Sequence, residues 1–77
     1  MTTQPYQTKG GDSQFRPVMT DAELWECNEG SMGFCLACGN EQHGVEPDAR
    51  KYKCHACGKE KVYGFEELVV MGLVIIQ

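Results

Sequence analysis

The chain has 77 residues, a formal net charge of −4 and 42% hydrophobic residues. A chain of this length forms one small domain and buries only about 60% of the surface that its unfolded form exposes, so a cross-link usually has to supplement the apolar core. The acidic balance argues against non-specific nucleic-acid binding, which depends on cationic contacts to phosphates. The longest apolar run, nine residues from Leu68 to Ile76, is too short to span a bilayer.

The first seventeen residues are polar, contain the Gly10–Gly11 pair and show no apolar periodicity. This composition predicts a mobile tail over residues 1–17, followed by a single domain over residues 18–77. Tyr6 and Phe15 are the anchors that such a tail offers to a partner on which it would become ordered.

A helix is predicted to begin after Thr20, where the polar N-terminal segment ends. Thr20 and Glu23 have the spacing of a capping box, in which the hydroxyl accepts from the Glu23 N–H while the carboxylate reaches back. The helix is expected from about Asp21 to Asn28. Because two turns are marginal alone, it has to pack on the rest of the domain, with Leu24 and Trp25 as the expected contacts.

Cys27 lies on this helix, between Glu26 and Glu29. We interpret it as a small buried apolar residue. The alternatives are a fifth or substitute metal ligand and a reactive thiol, and the acidic neighbours disfavour the reactive thiol because they do not lower a thiol pKa.

Two Cys-x-x-Cys-Gly motifs form the centre of the sequence, and fifteen residues separate Cys38 of the first from Cys54 of the second. This spacing is typical of a tetrahedral zinc site, because each tight turn aims two sulfurs at one point and the glycine after it lets the chain leave the turn. We therefore predict one Zn²⁺ per chain, and we expect the two histidines to be loop residues rather than ligands. The predicted ligands are Cys35, Cys38, Cys54 and Cys57.

A basic segment surrounds the second cysteine pair. Arg50–Lys53 and Lys59–Tyr63 are expected to be the two strands of a β-hairpin with the second cysteine pair at its tip and Tyr52 pointing inward. The bases either offset the negative metal–thiolate cluster or contact an acidic partner or a phosphate backbone. They are Arg50, Lys51, Lys53, Lys59 and Lys61.

The C-terminal residues are apolar. Phe65, Leu68 and Val69 have helical spacing, which predicts a short helix from about Phe65 to Met71. Residues 73–76 are either a third strand or an exposed apolar tail, since short apolar runs do not discriminate between conformations.

From Phe34 to Tyr63 the cysteine pattern resembles the zinc-ribbon superfamily of the rubredoxin-like kind. The resemblance rests on the four cysteines and their trailing glycines, and it implies that those cysteines are the metal ligands. It also implies a small metal-stabilised α+β fold, a zinc ribbon of two knuckles and a β-hairpin, here with a short helix on each side. The whole chain loosely resembles small zinc-ribbon reading frames of bacteria and phages.

A closed four-thiolate site has no open coordination position, so we expect no catalytic activity. The leading hypothesis is a cytoplasmic, zinc-stabilised adaptor that binds a protein partner and not a membrane. The first alternative is a nucleic-acid-binding ribbon that uses the basic hairpin. The second is a rubredoxin-like iron electron carrier, although Leu36 and His55 stand where rubredoxins usually have proline.

Overall fold

The computed structural model describes residues 2–77, so the part of the tail prediction that concerns Met1 lies outside the described residues. The fold is a small α+β arrangement of two three-stranded sheets and two short helices. In chain order the elements are β1 (Thr2–Gln7), β2 (Ser13–Met19), α1 (Asp21–Glu29), β3 (Met32–Cys35), β4 (Glu41–His43), β5 (Val62–Gly64), α2 (Phe65–Val70) and β6 (Ile75–Ile76).

The N-terminal segment, where the sequence predicts a mobile tail, forms an antiparallel hairpin of β1 and β2. β1 pairs with β2 from Thr2 opposite Val18 to Gln7 opposite Ser13. The hairpin folds back on the domain, because the Phe15 N–H donates to the carbonyl of Leu36 at 2.7 Å. β2 also runs across the predicted boundary between residues 17 and 18 and ends at the fully buried Met19.

The C-terminal residues complete the same sheet: of residues 73–76, for which the sequence predicts a strand or an exposed tail, Ile75 and Ile76 form a strand. β6 pairs parallel with β2, with Val18 opposite Ile75 and Met19 opposite Ile76. The sheet order β1-β2-β6 therefore joins the first strands of the chain to its last one.

Helix α1 confirms the predicted capping box. The Glu23 N–H donates to the Thr20 hydroxyl at 3.2 Å, and the Thr20 N–H donates to the Glu23 carboxylate at 2.9 Å. Leu24 and Cys27 pack into the core as predicted, but Trp25 is 63% exposed. The expected Trp25 contact is wrong because successive helical residues are rotated by about 100°, so Trp25 points away from the face that Leu24 and Cys27 share.

The second sheet has the order β4-β3-β5, with β3 in the centre. The predicted hairpin between residues 50–53 and 59–63 is reduced to an isolated bridge between Tyr52 and Val62, and β5 pairs with β3 instead. The first predicted strand does not form because Lys51 interrupts it: its φ of 54° lies in the left-handed region, whereas a strand needs an extended backbone. Tyr52 is 37% exposed rather than directed inward.

Helix α2 begins at Phe65 as predicted and ends at Val70, one residue early, with Met71 as its C-cap. It contributes Phe65 and Leu68 to the larger of two buried clusters, where the rings of Phe34 and Phe65 lie 6.2 Å apart. The smaller cluster lies beside the cysteines and contains Cys35, Val45, Ala49, Cys54 and Val62. The apolar core and the cysteine site are thus neighbouring parts of one domain.

Candidate metal centre

The first cysteine turn follows directly from the central strand β3. Cys35 is its last residue, and the Cys35 N–H donates to the carbonyl of Asn40 at 2.8 Å. The Gly39 N–H closes the turn by donating to the Cys35 carbonyl at 2.8 Å. Gly39 has φ of 79°, a conformation that other residues rarely adopt, so the glycine after the motif is required by the turn.

The second cysteine turn repeats this geometry. The Cys54 N–H donates to the Lys59 carbonyl at 2.9 Å, and the Gly58 N–H donates to the Cys54 carbonyl at 2.9 Å. Gly58 has φ of 76°. The two Cys-x-x-Cys-Gly motifs therefore form the same turn twice, as their repeated sequence predicts.

The fold brings the two turns together. The Sγ atoms of Cys35 and Cys57 are 3.7 Å apart, those of Cys38 and Cys54 are 3.6 Å apart, and all four lie within 4.8 Å of one another. Four thiolates around zinc at about 2.3 Å would form a tetrahedron with edges of about 3.8 Å, so the donor set fits such an ion. A disulfide would instead bring two sulfurs to about 2.05 Å.

Backbone N–H groups stabilise negative charge on Cys54. Burial by itself would raise the pKa of this thiol, but N–H donors of Cys57 and Ala56 and hydrogen bonds from Cys38 and Cys35 lower its pKa to about 6. Cys35 behaves in the opposite way, since burial raises its pKa to about 12. The cluster thus contains one thiol that favours the thiolate and one whose negative charge would need compensation, which a metal ion bound by the four sulfurs would supply.

The cluster lies at the surface of the domain. Cys35 and Cys54 are buried, whereas Cys38 and Cys57 are exposed. Cys27 is buried elsewhere, in the larger apolar cluster, and burial followed by the charges of nearby glutamates raises its pKa. This agrees with its interpretation as a small apolar residue, and it is outside the group of potential metal ligands within residues 2–77.

The five predicted contact residues are not equivalent in the structure. Arg50 forms an ion pair with Glu67, 2.8 Å between Nε and Oε1, and the Glu67 side chain is only 11% exposed. Lys51, Lys53 and Lys59 are exposed and Lys61 is half-buried. Arg50 therefore links the basic segment to α2, and the lysines form the accessible part of the predicted surface.

Lys59 and Lys61 also border a surface pocket of about 360 Å³ between the second cysteine turn and the N-terminal hairpin. The other residues that line it are Asp12, Ser13, Gln14 and Ala37. The lining therefore combines one acidic side chain with two basic ones.

Two buried polar side chains near the centre were not predicted from the sequence. Gln42 on β4 and Glu67 on α2 are each only 8% exposed when the whole residue is counted. Gln42 stands between two exposed residues on a strand of three, which is too short to produce a detectable alternation. The burial of Glu67 could not be predicted either, because its ion pair with Arg50 joins residues that are far apart in the sequence and meet only in the tertiary fold.

Comparisons of the chain with protein-family models, with curated proteins and with solved structures gave no match. The resemblance to zinc ribbons therefore rests on the four close cysteines. Within residues 2–77, no helix has both the length and the apolar character needed to cross a membrane.

Proposed function

We propose that the protein is a small, non-catalytic binding module whose fold is held by one Zn²⁺. The observation that carries the proposal is the cluster of four cysteine sulfurs with separations close to the edges of a zinc–thiolate tetrahedron. Such a site uses all four coordination positions for protein ligands and leaves none for water or substrate, which is why we assign the metal a structural role.

Elemental analysis of purified protein tests the metal assignment. We expect one zinc per chain in colourless protein expressed with iron available, and a tetrahedral thiolate spectrum when Co²⁺ replaces zinc. Replacement of Cys54 by serine should abolish both, whereas Cys27→Ser is the matched control that should retain them. Coloured protein with one iron per chain would instead support the rubredoxin-like electron carrier.

The proposed module acts through protein contacts, and the exposed side of α1 supports this. Trp25 is 63% exposed, and Asp21, Glu26 and Glu29 are exposed on the same helix, which has no basic residue in its last turn. A large exposed aromatic side chain among acids favours a partner that offers an apolar pocket with basic residues around it.

Affinity purification of the tagged protein from its native cells tests this contact. We expect a specific protein to be recovered with the wild type and lost with Trp25→Ser. The matched control is Lys53→Ser, a substitution on the basic segment, which should leave recovery unchanged. Equal recovery with wild type and Trp25→Ser would contradict a role for this helix.

A second candidate function is nucleic-acid binding, which the position of Tyr52 favours. Tyr52 is 37% exposed and lies between the exposed Lys51 and Lys53 in the sequence, and an exposed ring with cationic neighbours in the chain suits stacking on an unpaired base beside a phosphate. Titration with single-stranded and double-stranded DNA and RNA at two salt concentrations tests it. Lys51→Asn and Lys53→Ala should weaken a salt-dependent complex, with Lys9→Ala as the control; asparagine is chosen because Lys51 has φ of 54°.

A further inference from the structure

Gln42 is a buried amide whose two ends are both engaged by the second cysteine turn. Its Nε2 donates to the carbonyl of Lys53 at 3.3 Å, and its Oε1 accepts from the N–H of His55 at 3.1 Å. These two partners immediately precede and follow Cys54. One side chain therefore holds the backbone on both sides of a predicted metal ligand.

The backbone of Gln42 is fixed to the first cysteine turn. On β4 it lies opposite Gly33 of β3, two residues before Cys35, and the neighbouring Glu41 lies opposite Phe34. The Cys35 N–H also donates to Asn40, just before β4 begins. Gln42 thus connects the strand that presents Cys35 with the turn that presents Cys54.

We propose that Gln42 is a positioning residue for the metal site, which holds Cys54 oriented toward the other three sulfurs in the folded chain. The inference rests on the proposed metal-binding function and goes beyond it, because it assigns part of the affinity to a residue that is not a ligand. Outer hydrogen-bond partners that orient ligands typically contribute about 10–100-fold to metal affinity.

The chemistry of the amide makes the proposal specific. A glutamate at this position has nearly the same shape and still accepts from the His55 N–H, but a carboxylate has no hydrogen to donate to the Lys53 carbonyl. It also adds a negative charge beside the thiolates. A methionine has similar length but can form neither hydrogen bond. The His55 N–H then loses its acceptor and the Lys53 carbonyl loses its donor.

The test measures zinc affinity and zinc release for the full chain by competition with a chromophoric chelator. We expect Gln42→Glu and Gln42→Met to bind zinc 10–100-fold more weakly than the wild type and to release it faster. His43→Gln is the matched control on the same strand, since His43 is exposed and its substitution should leave affinity within twofold.

A second measurement separates positioning from general stability. Leu68→Ala destabilises the core without touching the site, so its zinc affinity reports the loss that folding linkage alone produces. In zinc-saturated Gln42→Met, the His55 amide hydrogen should exchange faster than in the wild type, while the Gly58 amide, bonded to the Cys54 carbonyl, should keep its protection.

The outcomes are distinguishable. Gln42 variants that bind zinc as tightly as the wild type would overturn the positioning role, as would an affinity loss no larger than Leu68→Ala shows at equal loss of stability. A wild-type chain that binds no zinc would instead overturn the proposed metal-binding function itself.

Discussion

Gly64 packs closely against the backbone of Glu46 and Pro47, so we expect a single added methyl group there to be severely destabilising. A Cβ on Gly64 would lie 2.1 Å from the Glu46 carbonyl oxygen and 2.2 Å from that of Pro47. Gly64 itself has an ordinary φ of −67°. The cost of Gly64→Ala is therefore steric, and it does not come from an unfavourable backbone conformation.

The magnitude follows from what has to move. Ordinary van der Waals contact begins near 3.4 Å, so the segment that contains Glu46 and Pro47 must retreat by more than an ångström. That shift breaks two backbone hydrogen bonds of 3.0 Å, from Gly64 to Ala49 and from Glu67 to Pro47. At about 1 kcal/mol each, plus the loss of packing around Ala49, the free energy of unfolding should fall by about 3 kcal/mol or more.

Urea unfolding of the two proteins in the same zinc buffer measures this loss, because a fixed free zinc concentration keeps the contribution of the metal equal. Gly11→Ala is the matched control: Gly11 has φ of 85° with no atom within 4 Å of the added Cβ, so it should cost only about 1–2 kcal/mol from the left-handed conformation. A loss at Gly64 no larger than that at Gly11 would refute the steric reasoning.

Three further predictions concern the metal, a cap and a thiol. Chelation of zinc should unfold the wild-type chain, seen as loss of circular dichroism that returns when zinc is restored; retained structure in the metal-free chain would contradict the structural role of the ion. Thr20→Ala removes the side-chain acceptor of the capping box and should lower the free energy of unfolding by about 0.5–2 kcal/mol, whereas exposed Thr2→Ala should leave it almost unchanged. In zinc-loaded protein, Cys27 should react slowly with a thiol-alkylating reagent, because burial raises its pKa, and mass mapping of rapid modification at Cys27 would contradict its assignment to the core.

The features that the sequence predicts correctly are those that depend on residues close together in the chain. The capping box at Thr20 and the two cysteine turns with their glycines depend on residues a few positions apart, and each forms as expected. The closeness of all four sulfurs follows from the repeated spacing. The conformations of these segments therefore depend mainly on their own residues.

The features that sequence reasoning missed depend on partners far away in the chain. β1 is mostly exposed, so its side chains show no apolar alternation, and its hairpin with β2 is stabilised by contact with Leu36 on the first cysteine turn. Residues 50–53 do not form the predicted strand, because Lys51 is left-handed and β3 supplies the partner of β5. Gln42 and Glu67 are buried only because the tertiary fold covers them.

The parallel pairing of β2 with β6 has a consequence for the order of folding. Val18 and Ile75 are neighbours in this sheet although 57 positions separate them, whereas Cys35 and Cys57 are only 22 positions apart. Closing the longer loop costs more chain entropy, and during synthesis β2 has no partner at this edge until residue 76 has left the ribosome. The cysteine turns should therefore come together first, and the β2–β6 pair should close the domain last.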